Sequence, residues 1–258
     1  MSDMKILKRL LWLIILFCSS QVATGQSKNT ENQHLAWYSY SLTWSLSKQY
    51  QLFINASERH FLPNMKQHQL LVHTQLRRML PHGWNASACM GFFRQHANSA
   101  YEHNVISVPE IRPYLEAESR QELRRLTIKS RYRFEGRFFR NIANNTLEES
   151  FRFRNFRFRY MLEFKQTLLQ HKPSRQPLLY LCLSNEVMLN AGKRIVVNVF
   201  DQNRLYAGVG LRAAHNLWFE VAYMNQFIQR TTVNNFYNRH TPRLTVIHNI
   251  GLRKKKTA

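Results

Sequence analysis

Charged residues alternate with apolar residues along two stretches of the chain. From Leu126 to Phe138 most odd positions carry Arg, Lys or Glu and most even positions carry aromatic or aliphatic residues, and Phe156 to Phe164 repeats the pattern. Side chains of this kind form ion pairs, because the guanidinium fork fits a carboxylate, and rows of them also bind anions. With acidic and basic residues from two later segments, the candidate network comprises Arg131, Arg133, Glu135, Arg137, Arg157, Arg159, Glu163, Glu186, Asp201 and Arg204.

The candidate network has two interpretations if its side chains point into one enclosed space. In the first, Arg131, Arg133, Arg157 and Arg159 pair with Glu135, Glu163, Glu186 and Asp201 and plug a narrow lumen. Buried charges need partners, and small barrels are often filled by side chains, which favours this plug. In the second, the arginines line an anion-selective lumen.

A few residues of the sequence could also support catalysis. Ser184 and Glu186 share a face of one segment, while His240 and His248 lie near the C-terminus. The sequence contains no GxSxG element, and no histidine pair has the helical spacing of a zinc site. We therefore predict no catalytic residue, no metal site and no cofactor, and keep a barrel enzyme acting on lipid or lipopolysaccharide as an alternative function.

Period-two alternation predicts β-strands, because a strand sends successive side chains to opposite faces. A helix over residues 125–137 would spread the arginines all round its axis. The phase of the alternation slips at Asn155, as at a β-bulge. Eleven candidate strands lie near 38–46, 50–55, 66–79, 84–96, 108–118, 125–138, 151–164, 177–190, 204–212, 217–224 and 239–252. Bacterial single-chain barrels have even strand numbers, so we expect an all-β, antiparallel transmembrane barrel of about 12 strands, with a range of about 10 to 14.

The N-terminus has the pattern of a cleavable signal peptide. Lys5, Lys8 and Arg9 precede the apolar run Leu10 to Phe17, which is too short to span a bilayer. Ala23 and Gly25 place small residues before a cleavage site at Gln26. A lipoprotein signal at Cys18 is less favoured, since Phe17 stands where a small residue is needed. The predicted organisation is a signal peptide at 1–25, a barrel at 26–252 and a basic tail at 253–258.

Export decides how the charge of the chain is interpreted. The 258 residues carry a net charge of +22, which alone suggests nucleic acid or an anionic surface. An exported protein does not meet nucleic acid, so we expect none as a partner. The expected location is the outer membrane of a Gram-negative bacterium, and the expected partners are outer-membrane lipid, lipopolysaccharide and the barrel insertion machinery. Cys89 and Cys182, the cysteines outside the signal peptide, allow at most one internal disulfide, which the periplasm would permit.

A soluble β-sandwich or lipocalin-like periplasmic binding barrel has the same alternation with the opposite facing. Its apolar residues would form the core and its arginines would face water. The signal peptide, the even spread of strands and the high aromatic content favour the membrane barrel instead. The remaining question is whether that barrel is structural or serves the transport of small solutes or anions.

Several stretches resemble an uncharacterised family of predicted bacterial outer-membrane barrels, domain of unknown function 2490. They are Arg131 to Phe138, Phe156 to Tyr160, Asn185-Glu186, Phe200 to Tyr206 and Arg239-His240. The resemblance covers roughly Trp37 to Leu252, and Phe200 to Tyr206 is its most specific element. It implies an outer-membrane β-barrel, and it supplies no established activity, cofactor or catalytic residue.

Overall fold

The computed structural model describes residues 28–103, 105–171, 176–193, 195, 199–232 and 234–251. The predicted signal peptide (1–25) and basic tail (253–258) lie outside the described residues. Nearly every described element is a strand, and the all-β prediction is confirmed. The strands are β1 (Asn29–Ser45), β2 (Tyr50–Phe61), β3 (Gln67–Met79), β4 (Trp84–Gln95), β5 (Val108–Leu123), β6 (Leu126–Ala143), β7 (Thr146–Gln170), β8 (Pro177–Ala191), β9 (Phe200–Ala214), β10 (Leu217–Gln229) and β11 (Asn235–Ile250).

These strands form one closed barrel in which each strand pairs with its neighbour in sequence. All the consecutive pairs are antiparallel, and β1 closes the barrel by pairing with β11 in parallel, from Asn29 opposite Asn235 to Trp44 opposite Ile250. The eleven strands of the described chain correspond one by one to the eleven candidate segments and fall within the expected range, but their number is odd, not even. An odd number of alternating strands leaves the first and last pointing the same way, so the closing pair must be parallel.

The two ends of the barrel differ in the length of their connections. One end, here called the loop end, carries the connections at 62–66, 96–107, 144–145, 192–199 and 230–234. The other, here called the turn end, carries 46–49, 80–83, 124–125, 171–176 and 215–216. The longest connection, 96–107, buries Ala97 and Ala100 against Leu35 and Phe61. It therefore packs onto the inner side of β1 and β2 at the loop end.

Side chains alternate between an apolar outer face and a polar inner face. Outward residues such as Leu115 (65% exposed), Val221 (64%) and Leu205 (57%) are apolar and unburied. Inward residues such as Arg133 and Glu135 are 6% and 1% exposed. No helix in the described ranges is long and apolar enough to cross a membrane.

Among the register shifts of the described strands, two β-bulges place charged residues at the lumen. Opposite Arg137 and Phe138, β7 pairs Asn155 and then Phe153, which leaves Arg154 as the extra residue and confirms the predicted phase slip. Opposite Met188 and Leu189, β9 pairs Gln202 and then Phe200, which leaves Asp201 as the extra residue. A bulge re-aims the side chain it carries. Arg154 and Asp201 both line the lumen as a result.

Candidate functional site: a charged lumen

The barrel encloses a cavity of about 1380 Å³. Its lining runs along β1 from Glu31, near the loop end, to Thr43, near the turn end. Along β5 it runs from Val108 to Arg120. The cavity therefore follows most of the length of the barrel and is not confined to one mouth.

A group of ion pairs covers the lumen side of β5 to β9, and Glu186 is at its centre. The Glu186 carboxylate accepts hydrogen bonds from Arg159 Nη2 at 2.7 Å and from Arg131 Nη2, and Arg204 Nη1 lies 3.5 Å from its second oxygen. One carboxylate thus faces three guanidinium groups. We call the whole group the ion-pair network; it consists of Glu116, Arg131, Arg133, Glu135, Arg159, Glu186 and Arg204.

Two further carboxylates complete the ion-pair network. Glu135 accepts a hydrogen bond from Arg159 Nη1 at 2.8 Å, and Arg133 Nη1 lies 3.4 Å from the same oxygen. Glu116 lies 2.6 Å from Arg133 Nη2 and 3.8 Å from Arg131 Nε. Arg131, Arg133 and Arg159 therefore each contact two carboxylates, an arrangement that compensates for loss of hydration in a buried site.

The other predicted residues form separate pairs nearer the ends of the barrel. Arg137 Nε donates to Glu110 at 2.6 Å, and Arg157 Nη2 donates to Asp201 at 3.0 Å. Glu163 pairs with Lys129 at 2.9 Å and not with an arginine. The structure thus brings six of the ten residues of the candidate network together in the ion-pair network and pairs two more, Arg157 and Asp201, with each other. The remaining two, Arg137 and Glu163, pair with residues that were not predicted.

Sequence reasoning missed the contribution of β5. Glu110 pairs with Arg112 and Arg137, and Glu116 pairs with Arg133. The signal was present in the sequence, because these residues alternate with Ile111, Pro113, Leu115 and Ala117. The segment reads as less regular because two prolines interrupt its apolar positions.

A second charged region on β1, β2, β9 and β11 has few acidic partners. Arg59 Cζ lies 3.6 Å from the centre of the Trp37 ring, Arg243 Cζ lies 4.5 Å from it, and Arg204 Cζ lies 5.8 Å from it. We call Trp37, Arg59, Arg204 and Arg243 the basic cluster. Within the part of the chain that the structure describes, neither Arg59 nor Arg243 has a carboxylate oxygen within 4.0 Å.

Arg239 lies next to the basic cluster and is satisfied by neutral groups. Its guanidinium donates to Gln33 Oε1 at 2.8 Å and contacts His68 Nε2 at 2.9 Å. The backbone oxygen of Asn98, in the 96–107 connection, accepts a weaker bond at 3.4 Å. These contacts hold the long loop against the barrel wall, and Arg239 adds another positive charge to this side of the lumen.

In the 96–107 connection, burial and the charge of Arg94 lower the pKa of His96, which favours its neutral form.

Glu220, the acidic residue of β10, is held by two tyrosines. Tyr180 Oη donates to one Glu220 oxygen at 2.6 Å and Tyr206 Oη donates to the other. Tyr180 reaches this position because Gly210 has no side chain; a Cβ there would lie 2.1 Å from the tyrosine ring. Both carboxylate oxygens of Glu220 therefore accept hydrogen bonds from neutral groups.

The residues of the catalytic alternative are not brought together. Ser184 and Glu186 line the lumen. His240 shares a hydrogen bond with the Tyr223 hydroxyl, and His248 shares one with the Tyr40 hydroxyl at 3.0 Å. Both histidines lie at outward positions of β11. Cys89 and Cys182 are free thiols on β4 and β8. No group of metal-binding residues occurs among the residues described.

Comparison with known proteins identifies a family whose function is not described. No match was found among curated proteins. Residues 35–237 match the model of a family described as protein of unknown function (DUF2490). The match runs from β1 into β11 and includes the ion-pair network and the basic cluster up to Arg204. The chain therefore belongs to this family of proteins of unknown function.

Proposed function

We propose that the protein is an outer-membrane β-barrel whose lumen is a passage for small anions. In this proposal residues 1–25 direct export and are removed, and the barrel insertion machinery places the mature chain in the membrane. The outer face of the barrel then contacts lipid and lipopolysaccharide. The observation that carries the proposal is the distribution of polarity, with apolar side chains outside and charged side chains inside.

This distribution is the reverse of that of a soluble barrel. A soluble barrel keeps its apolar side chains inside, and soluble monomers rarely expose contiguous apolar patches above a few hundred Å². Here apolar outward side chains occur on strands all round the barrel, for example Tyr38 on β1, Leu115 on β5 and Phe219 on β10. Lipid is the solvent that such a face fits. The polarity thus argues against the soluble periplasmic binding barrel.

The length of the cavity fits a membrane passage. Between Glu31 and Thr43 β1 advances about 40 Å at the usual rise per residue of a strand. A strand tilt of about 40° reduces this to about 30 Å along the barrel axis, against an apolar band of about 25 Å in outer-membrane barrels. The lined cavity is therefore long enough to connect the two sides of a membrane.

The charge of the lumen favours anions. The ion-pair network covers one side with four arginines and three glutamates, and Arg59, Arg239 and Arg243 add positive charge on the other side. Rings and clusters of Arg select anions in pores. A complete plug would need side chains to fill the space that the cavity of about 1380 Å³ leaves open.

Fractionation and N-terminal sequencing test the location. The protein should partition with outer membranes and its mature form should begin at or near Gln26. Recovery of a soluble chain that still begins at Met1 would contradict the proposal. A variant with the apolar run interrupted by Leu13→Arg and Ile15→Arg should remain in the cytoplasm and keep its N-terminus.

Planar-bilayer conductance of the refolded mature protein tests the passage. We expect steady current steps and a reversal potential, measured in a salt gradient, that shows anion selectivity. The double variant Arg59→Gln/Arg243→Gln should lower that selectivity, while Arg120→Gln at the turn end is the matched control. Absence of conductance from correctly folded protein, or cation selectivity, would refute the passage.

A further inference from the structure

Three guanidinium groups from three different strands surround one indole ring. Arg59 comes from β2, Arg204 from β9 and Arg243 from β11, and all three line the cavity together with Trp37. The closest two lie 3.6 and 4.5 Å from the ring centre. Cation–π contact of this kind orients guanidinium groups but leaves their positive charge in place. The basic cluster is therefore a fixed concentration of charge inside the lumen.

The donors of the basic cluster are incompletely used. Arg59 is 6% exposed, and neither its Nε nor that of Arg204 has a hydrogen-bond partner. Arg243 Nε donates to the neutral Thr245 hydroxyl at 3.1 Å. The charges of Arg204, Arg239 and Arg243 all repel that of Arg59. A buried group with unused donors and like-charged neighbours is unfavourable unless another species compensates for it.

The carboxylates nearest this region already have partners. Glu186 is shared by Arg131 and Arg159, and its contact with Arg204 is long, at 3.5 Å. Glu220 accepts hydrogen bonds from the hydroxyls of Tyr180 and Tyr206. Neither carboxylate has an oxygen within 4.0 Å of Arg59 or Arg243, so an anion from solution would supply the direct ion-pair partner that these two groups lack on the described chain.

We infer that the basic cluster is a binding site for a small solute that carries phosphate groups. This inference rests on the proposed function, since it names the class of anion that the lumen holds. Guanidinium groups bind phosphate oxygens through paired, charge-assisted hydrogen bonds. A tetrahedral phosphate presents oxygens in several directions, which suits three arginines that converge from separate strands, whereas a carboxylate presents two oxygens in one plane. The ligand binds by charge and not by stacking, because guanidinium groups cover the Trp37 ring.

Titration of the refolded mature protein in detergent tests the site. Inorganic pyrophosphate, inorganic phosphate, glycerol phosphate and citrate are added at constant ionic strength while tryptophan fluorescence and binding heat are measured. We expect saturable binding of one pyrophosphate per chain, at least tenfold tighter than citrate. Tighter binding of glycerol phosphate than of inorganic phosphate would show that the natural ligand is an organic phosphate ester, and the reverse order would show a free inorganic anion.

Two substitutions and one control locate the binding. Arg59→Gln and Arg243→Gln should each weaken pyrophosphate binding at least tenfold. Arg77→Gln removes another lumen-facing arginine, near the turn end, and should change the affinity less than twofold. Equal effects of all three substitutions would mean that the lumen attracts anions by its overall charge, and the site would be refuted.

Thermal stability gives a second test, because the expected change in Tm on substitution of Arg59 is a rise and not a fall. Without ligand, Arg59→Gln should raise Tm, because it removes repulsion from the basic cluster, and pyrophosphate should then no longer raise it further. A fall in Tm together with wild-type affinity would overturn the inference. If Arg59→Gln fails to fold, Arg59→Lys keeps the charge, loses the guanidinium fork and should bind with intermediate affinity; wild-type affinity in that variant would also overturn it.

Conductance separates this inference from the proposed function. Saturable pyrophosphate binding by a barrel that conducts no ions would refute the passage and leave the site standing. Anion-selective conductance that pyrophosphate does not reduce, combined with no saturable binding, would refute the site and leave the passage standing.

Discussion

Replacement of Glu186 by Gln tests whether the ion-pair network is desolvated. Glu186 is 5% exposed and contacts Arg131, Arg159 and Arg204. The substitution keeps the shape of the side chain and one acceptor oxygen but removes the negative charge that the three arginines share. It leaves Arg204 without a carboxylate partner among the described residues.

The expected loss follows from these contacts. Breaking one buried ion pair by removing a partner costs about 3–5 kcal/mol, whereas a hydrated pair contributes less than about 1 kcal/mol. Glutamine retains some hydrogen bonding, so we expect a loss of about 3 kcal/mol in the free energy of unfolding. At about 2–4 °C per kcal/mol for a chain of this size, Tm should fall by about 10 °C.

Glu135→Gln should have a smaller effect. Arg133 keeps Glu116 at 2.6 Å and Arg159 keeps Glu186 at 2.7 Å after the change. The loss is then about that of one charge-assisted hydrogen bond, near 2 kcal/mol. Which of the two variants loses more unfolding free energy is therefore a sharper test than the size of either loss alone.

The assay is urea and thermal unfolding in detergent, followed by tryptophan fluorescence and circular dichroism. Glu122→Gln is the matched control, because Glu122 pairs with Arg120 at 2.8 Å but is 67% exposed, and it should change stability by less than about 0.5 kcal/mol. Losses below about 1 kcal/mol for both lumen variants would show that the ion-pair network is hydrated and would refute the reasoning. So would a loss in Glu135→Gln that exceeds the loss in Glu186→Gln.

Three further outcomes are expected. In a variant without Cys89 and Cys182, a water-soluble thiol reagent should label Arg133→Cys and not Phe134→Cys or Phe158→Cys; the opposite result would indicate a soluble barrel. Epitopes placed before Asn29 and after Gly251 should lie on opposite sides of the membrane, since β1 and β11 are parallel, and protease that removes both from one side would contradict the topology. Gly210→Ala places a Cβ 2.1 Å from the Tyr180 ring and should cost about 1–3 kcal/mol in unfolding experiments, while Gly251→Ala, with no atom within 4 Å of the new Cβ, should be neutral.

Local alternation was enough to predict the strands and their inner and outer positions. The residues of β6 and β7 show why: Arg133 and Glu135 alternate with Phe134, and a strand converts that alternation directly into two faces. The bulge beside Asn155 was visible for the same reason, because an extra residue shifts the phase of the pattern. These features depend only on the geometry of a single strand.

The strand number and the pairing of charges were decided by the tertiary structure. Eleven candidate segments were visible, but only closure between β1 and β11 shows that no twelfth strand is needed in the described barrel and that the closing pair is parallel. Glu163 shares its strand with Arg157 and Arg159 yet pairs with Lys129, because the partners of an inward side chain are set by the register with the neighbouring strand.

The basic cluster shows this division most clearly. Arg59, Arg204 and Arg243 lie far apart in sequence, and each belongs to a strand whose local pattern gives it only an inward position. Their meeting around Trp37 arises because closure places β11 between β10 and β1, which brings β9 within three strands of β1 and lets Arg204 approach the same ring. The sequence by itself determined which face each charge occupies, since that depends on a period of two along one strand. Only the tertiary structure decided which charges share the lumen wall, since that depends on register and closure over the whole chain.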